Sequence, residues 1–425
     1  ANPSFYGSFL RKYREDLNST TTAKWEVLNN ASVLKAFEGY EITQAAAKMI
    51  EIAGELQFCD KTLTLTRLAP VATDKIRFGL GQNIFGNSYR AAIKISEMTI
   101  PATVDQTVYL YNTGSLADWG AANLDESPFN SPMTAGSYIS IPKQVSNTIW
   151  DDQIPSMQGF LLKYTTAETN FNNNAAENAQ VTLKYANGGV VGNTKPQLAP
   201  KAEEEPLSYL RVNLQSASTV DNLWLFSREG TSSSFDNGWD GHKHFGTPTA
   251  FIYSMTPDGP MQVNTDRTID GSVINFYANS DTDYTLTLVK SNLDEYSDLK
   301  LIDFGTKTVT PLTAEVTRYN FTSTSAGVVE KRFMIVNSAS KIDFKKNDFS
   351  LLYGYMSADK TLIVTNFSGE PGTMTLSTAS GVIVMNKPLT TGTSHFPTSL
   401  KAGAYILTMQ AGTSRASIKV LVNNK

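Results

Sequence analysis

The densest set of side chains that could do chemistry is SFDNGWDGHKHFG, residues 234–246. Asp236, Asn237 and Asp240 present oxygen donors from a glycine-containing loop. A hard cation such as calcium takes roughly six to eight such oxygens. The spacing lacks the alternating donors and closing glutamate of a helix–loop–helix calcium site. The competing reading is a turn whose Asx side chains bond their own backbone. His242 and His244 follow, two of the three histidines in the chain. On a strand, alternate residues share a face, so the pair could supply two zinc ligands. No third ligand is identifiable, because His395 lies in another segment, and a solvent-facing pair is the plainer reading.

A glycosidase needs two carboxylates across a sugar. Asp151, Asp152, Glu229, Asp236 and Asp240 are available, but any chain this long supplies carboxylates. Trp25, Trp119, Trp150, Trp224 and Trp239 could stack on sugar rings. Trp224, in NLWLF, reads as core. Trp239, between Gly238 and Asp240, is the tryptophan expected to be exposed and the best single ligand contact. A serine nucleophile wants a Gly-x-Ser-x-Gly elbow, and none occurs; GNSYR at 86–90 lacks the second glycine. GLGQNIFG (79–86) begins like a dinucleotide loop but lacks its spacing and its strand–helix context. AEEEP (202–206) reads as a solvated linker. The sequence therefore predicts no enzyme and no cofactor other than calcium.

The elements that must position these residues have a period of two. TLTLTRL (62–68), TVYLYNT (107–113), GFLLKYT (159–165), AQVTLKYA (179–186), YLRVNLQS (209–216), DNLWLFSRE (221–229), AFIYSM (250–255), SVINFYA (272–278) and YTLTLVK (284–290) alternate apolar with polar or threonine residues. Gly, Asn, Asp, Ser and Pro clusters bound them, the pattern of β-sandwiches. LKLIDFGTKTVTPL (299–312) predicts a hairpin turning at Phe304–Lys307, and YNFTSTSAGVVEKRFMIVN (319–337) two further strands. The helical signal is confined to a short helix or turn near 31–37, with 44–52 ambiguous between helix and strand. From residue 351 onwards TLIVTNF, GTMTLST, GVIVMN, GAYILTMQA and RASIKVLV read as a compact β-module.

Composition narrows the classes further. Lys plus Arg is 36 against 40 Asp plus Glu, a net charge of −4, and a nucleic-acid binder would need a basic face. With one cysteine, Cys59, no disulfide can form within the chain, and a free cysteine is expected to be buried. No apolar run reaches the length of a membrane-spanning helix. No signal peptide is visible at Ala1, so an exported protein would begin here at a processed or internal position. Pro-, Gly- and charge-rich 192–206 and polar 338–348 read as breaks. The expected organisation is all-β: a β-sandwich domain over 1–200, continuing a larger protein; a second sandwich, or second half of the first, over 207–337; and a C-terminal immunoglobulin-like domain over 350–425.

Several phrases, in order, resemble cell-surface proteins of the Bacteroidota. GQNIFGNSYRAAIKIS (81–96) is similar to a phrase of that group, with Ser88 where proline is usual. DQTVYLYN (105–112), IPSMQGFLLKY (154–164) and the stretch from LRVNLQS to GWDGHKHFG (210–246) resemble the phrases that follow it. VTNFSGEPGTMTLSTASGVIV, TSLKAGAYILTMQAG and RASIKVLV resemble the immunoglobulin-like sorting domain of the type IX secretion system. The resemblance implies a protein outside the cell or on the outer-membrane exterior, with outer-membrane secretion or attachment machinery as partner. It implies a non-enzymatic structural or adhesin-type role. The alternatives are a carbohydrate-binding module using calcium and Trp239, and an accessory region of a surface hydrolase. A glycan or another surface protein would then be the partner.

Overall fold

The computed structural model describes residues 5, 7–15, 24–44, 49–68, 81–111, 138–150, 152–165, 177–192, 207–245, 250–324, 326–327, 329–337, 352–356, 360–368, 370–390 and 392–422. Residues 193–206 of the expected break at 192–206, the break at 338–348, the acidic run at 202–206, Trp119 and Asp151 lie outside these. The fold is all-β, as the alternation predicts. Among the described residues the longest α-helix is Ser146–Trp150, and none is long and apolar enough to cross a membrane. The chain divides into two units: one of described residues up to 111, 138–192 and 237–241, the other of 207–236 and 242–422.

Four small sheets build the first unit. The largest orders Gln82–Gly86, Gly159–Lys163, Thr107–Tyr111 and Tyr138–Pro142. Lys61–Arg67 pairs along its length with Glu177–Leu183. Its alternation sends Leu63, Leu65 and Arg67 inward and leaves Lys61, Thr62 and Thr64 outside, the period a half-buried strand requires. Those leucines join Ile93, Val108, Phe160 and Leu162 in one apolar core.

Two phrases far apart in sequence are stitched together here. The Asn87 carboxamide donates to the carbonyls of Ala91 (2.9 Å), Ile154 (2.9 Å) and Pro155 (3.1 Å) and accepts the Tyr89 N–H at 2.9 Å. Ser88 accepts the Phe37 N–H on its hydroxyl at 2.8 Å. The 30–37 stretch forms turns at 30–31 and 36–37, with Phe37 buried at a left-handed φ of 64°. Cys59 departs from expectation: it is exposed. It lies in 49–60, which has no regular strand and whose residues are nearly all exposed. Its carbonyl, not its thiol, is used, accepting the Tyr89 hydroxyl at 2.8 Å.

A single large sheet dominates the second unit. Its path runs Thr308–Pro311, Leu299–Asp303, Val329–Asn337, Val273–Tyr277, Phe251–Thr256, Gly259–Asp266, Val220–Ser227, Ser208–Gln215, Asp283–Ser291, Val316–Thr322. Strand pairs along this path are antiparallel except Val220–Ser227 with Gly259–Asp266, which run parallel. The sheet folds over one core: Leu210 and Leu225 from its middle, and Leu301, Phe321 and Phe333 from its outer strands, belong to the same apolar cluster. The hairpin turns where the sequence predicts, between Asp303 and Thr308. Val220–Phe226 is buried on both faces. Leu223 and Leu225 enter the core, while Trp224 lies beside Phe226 with its ring under the Arg211 guanidinium, 5.3 Å away.

A buried ion pair fixes one end of the sheet. Arg332 Nε lies 3.2 Å from Asp303 Oδ1, and its Nη2 donates to Asp303 Oδ2 at 3.3 Å. The Tyr319 hydroxyl and the Gly305 N–H also donate to Asp303, at 2.8 and 2.7 Å. The guanidinium sits 4.4 Å over the Phe321 ring. Charge, fork geometry and aromatic face are all used, which suits arginine and not lysine.

The C-terminal strands form a two-sheet sandwich with its own core. Leu352–Met356, Thr361–Asn366 and Gly392–Pro397 make one sheet; Ile383–Leu389, Gly372–Thr378, Gly403–Ala411 and Ser414–Val422 make the other. In the last strand Ile418, Val420 and Val422 are buried between exposed Lys419 and Leu421. This sandwich is packed onto the large sheet. Ile302, Met334 and Val336 form one cluster with Tyr353, Tyr355 and Ile363. The Tyr355 hydroxyl donates to Asp270, and the Thr393 hydroxyl donates to the Gly271 carbonyl at 2.8 Å.

Candidate functional site

The residues singled out at 236–244 fall on both sides of the division between the units. In the second, the Asp236 carboxylate accepts the Ser232 N–H at 2.6 Å and the Ser232 hydroxyl at 3.2 Å. It closes a local turn, as short acidic side chains do. In the first, Asn237 is anchored to a neighbouring strand approach. Its Oδ1 accepts the Gln106 N–H at 2.7 Å, and its Nδ2 donates to the carbonyls of Val104 (3.1 Å) and Ala102 (3.2 Å). The Gln144 N–H donates to the Gly238 carbonyl at 2.9 Å, and Asp240 is fully buried.

Glycine is required inside this turn. Gly238 has φ of 88°, and a Cβ there would lie 2.9 Å from Gln106 Oε1. Trp239 is half-buried rather than fully exposed. Among the described residues, no three His, Cys, Asp or Glu side chains gather as a metal-holding group. The oxygen of Asn237 counted as a cation donor accepts a backbone N–H.

Only one of the two histidines lies in a strand. His242 ends a two-residue strand, with its Nδ1 3.1 Å from Met261 Sδ, and His244 lies beyond that strand. Lys243 between them is buried and bonds Asp221 at 2.5 Å. Asp152, one of the sampled carboxylates, is likewise consumed. It accepts the Ser96 N–H at 2.7 Å and the hydroxyls of Ser146 and Ser96 at 2.6 and 2.5 Å.

Two further features carry no sequence motif. The first is an edge. On the C-terminal sandwich Val382, Ile383 and Val384 are exposed at 61%, 62% and 40%. Ser377 lies opposite both Ile383 and Ile406, so these isoleucines line one row of the sheet. Ile383–Leu389 pairs on one side with Gly372–Thr378, leaving its other side at the rim. Lys387 and Pro388 sit towards the far end of that strand, the residue types that blunt an edge.

The second feature is a cavity of about 390 Å³ where the large sheet meets the C-terminal sandwich, within the second unit. Asp266, Lys331 and His395 line it. Burial pushes the Asp266 carboxyl up to about 6, although the Arg267 N–H donates to it at 2.6 Å. Lys331 donates to the Phe367 carbonyl at 3.1 Å, and burial lowers its pKa. Sequence reasoning could not find this site, because its residues come from several separate strands.

No protein-family model matches the chain. The chain is 27% identical over 411 residues to the minor fimbrium subunit Mfa5 of Porphyromonas gingivalis. That match covers 92% of this chain and 31% of the relative, so the chain spans about a third of the protein it matches. Among solved structures, a biofilm associated protein (BSP domain) is 9% identical with a TM-score of 0.17, covering 88% of this chain and 68% of that one. A TM-score that low carries no argument.

Proposed function

We propose that this chain is part of a non-enzymatic, structural or adhesin-type protein of the bacterial surface, assembling with other surface or fimbrial proteins. The observation that carries this reading is the similarity to a fimbrium subunit along 92% of the chain. The architecture agrees with it. β-Sheet domains of this kind serve as structural building blocks, and an exposed strand edge such as Ile383–Leu389 gives a neighbouring chain a backbone to pair with.

The C-terminal sandwich is the proposed export or attachment module. Its support is the resemblance of VTNFSGEPGTMTLSTASGVIV and RASIKVLV to type IX sorting domains. The test is antibody labelling of intact cells that express either the whole protein or a form lacking 351–425. Surface labelling of the whole protein and its loss from the shortened form, with the remainder still folded in the cell envelope, is the expected result. Equal labelling of both forms would remove the export role and leave the surface role standing. No labelling of either would remove both.

A further inference from the structure

We propose that the cavity between the large sheet and the C-terminal sandwich is a binding site for a neutral polyhydroxylated ligand, a mono- or disaccharide unit of a glycan. At about 390 Å³ it falls within the range of small-ligand sites, roughly 300–1,000 Å³. Its lining alternates hydrogen-bonding side chains, including Ser254, Asn264 and Asn275, with the apolar surfaces of Met255, Val273 and Phe367. Sugars demand that mixture, because each ring carries hydroxyls at its edge and C–H groups on its faces.

The Asn264 side chain points to an occupant. The residue is 8% exposed, and its Oδ1 is buried with no hydrogen-bond partner among the described residues. A buried acceptor without a donor costs about 1–3 kcal/mol, and a ligand hydroxyl would satisfy it. Several other polar groups in the lining are already used by the protein. The Asn366 carboxamide donates to the carbonyls of Glu370 (2.8 Å) and Thr390 (3.1 Å), and Thr393 donates to Gly271. These hold the wall in place beside Asn264.

Charge selects the class. Two acidic residues, Asp266 and Asp270, share the lining with one lysine, whose ammonium is spent on the Phe367 carbonyl. That wall disfavours phosphate, sulfate and sialic acid. The proposal does not depend on how the chain is assembled at the surface.

The test uses the full chain on a glycan array. The array carries neutral hexose, deoxyhexose and N-acetylhexosamine oligosaccharides of mammalian and of bacterial origin, with sialylated and sulfated forms beside them. The set that binds identifies the source, and the best binder is titrated by calorimetry. The expected result is binding to a neutral glycan that Asn264→Leu weakens at least tenfold. Met255→Trp, at a half-exposed rim position, should weaken it similarly and decides the matter if Asn264→Leu does not fold. No binding to any probe, binding to acidic glycans alone, or binding unchanged in the folded variants would overturn the proposal.

Discussion

The carboxamide of Asn87 donates to the main-chain carbonyl of Ile154 at 2.9 Å, joining residues 67 positions apart. The contact brings together two phrases that are far apart in the sequence. GNSY and IPSMQGF are two sides of one hydrogen-bonded joint, closed further by the Met157 N–H on the Asn87 carbonyl at 2.9 Å. Replacing Asn87 by alanine leaves buried carbonyls without donors. The expected loss is at least about 2 kcal/mol, read as a lower urea midpoint for the transition of the first unit. An unchanged midpoint would show that water replaces the side chain at no cost.

Asp303 and Arg332 give an ordered pair of outcomes. Asp303→Ala strands a buried guanidinium and should cost about 3–5 kcal/mol. Arg332→Met removes the cation but leaves Asp303 with the Tyr319 hydroxyl and the Gly305 N–H, so it should cost less. Thermal unfolding of the two variants checks the order, and the reverse order contradicts the assignment of those donors.

At Gly271 the large sheet and the C-terminal sandwich pack closely. Its φ is 90°, and a Cβ there would lie 2.8 Å from Ile363 Cγ2 and 2.9 Å from Thr393 Cγ2. A β-branched side chain is strained at that φ. Gly271→Val should therefore loosen the sandwich from the sheet and raise the rate of proteolytic cleavage within 338–351 several-fold. Cleavage at the wild-type rate would mean the packing tolerates the side chain.

Asp266 predicts the pH dependence of stability. Burial raises its carboxyl to about 6, above the usual carboxylate range. Between its unfolded value near 4 and its folded value near 6, the native state holds more protons than the unfolded state. Stability therefore falls as pH rises through that window. Asp266→Asn should be more stable than wild type at pH 7.5, by roughly 2–3 kcal/mol, and the advantage should shrink as pH drops to 4. A constant difference across that range would rule out Asp266 as its source.

Strands were the legible part of the fold. Alternation marks a strand most clearly where one face is wet, as Lys61–Arg67 shows residue by residue, whereas Val220–Phe226 is buried on both faces. The order of the large sheet was not legible. The parallel pair along its path, Trp224 beside Val263, depends on chain crossings that no local pattern records. The short strand Gly392–Pro397 was also missed, since GTSHFP lacks a run of apolar residues. At 236–240 the sequence marked a special turn correctly by its glycines and Asx residues. It could not show that Asn237 is committed to Gln106, because the two are 131 residues apart. Cys59 was misplaced because a residue type's average burial says nothing about a segment without a partner strand.

The surface role is tested most directly by immunogold electron microscopy of cells that produce the protein, using antibody against residues 207–337. Gold along surface filaments or on the outer face of the envelope is the predicted result. Gold confined to the cell interior, with the outer surface and filaments bare, would contradict the account.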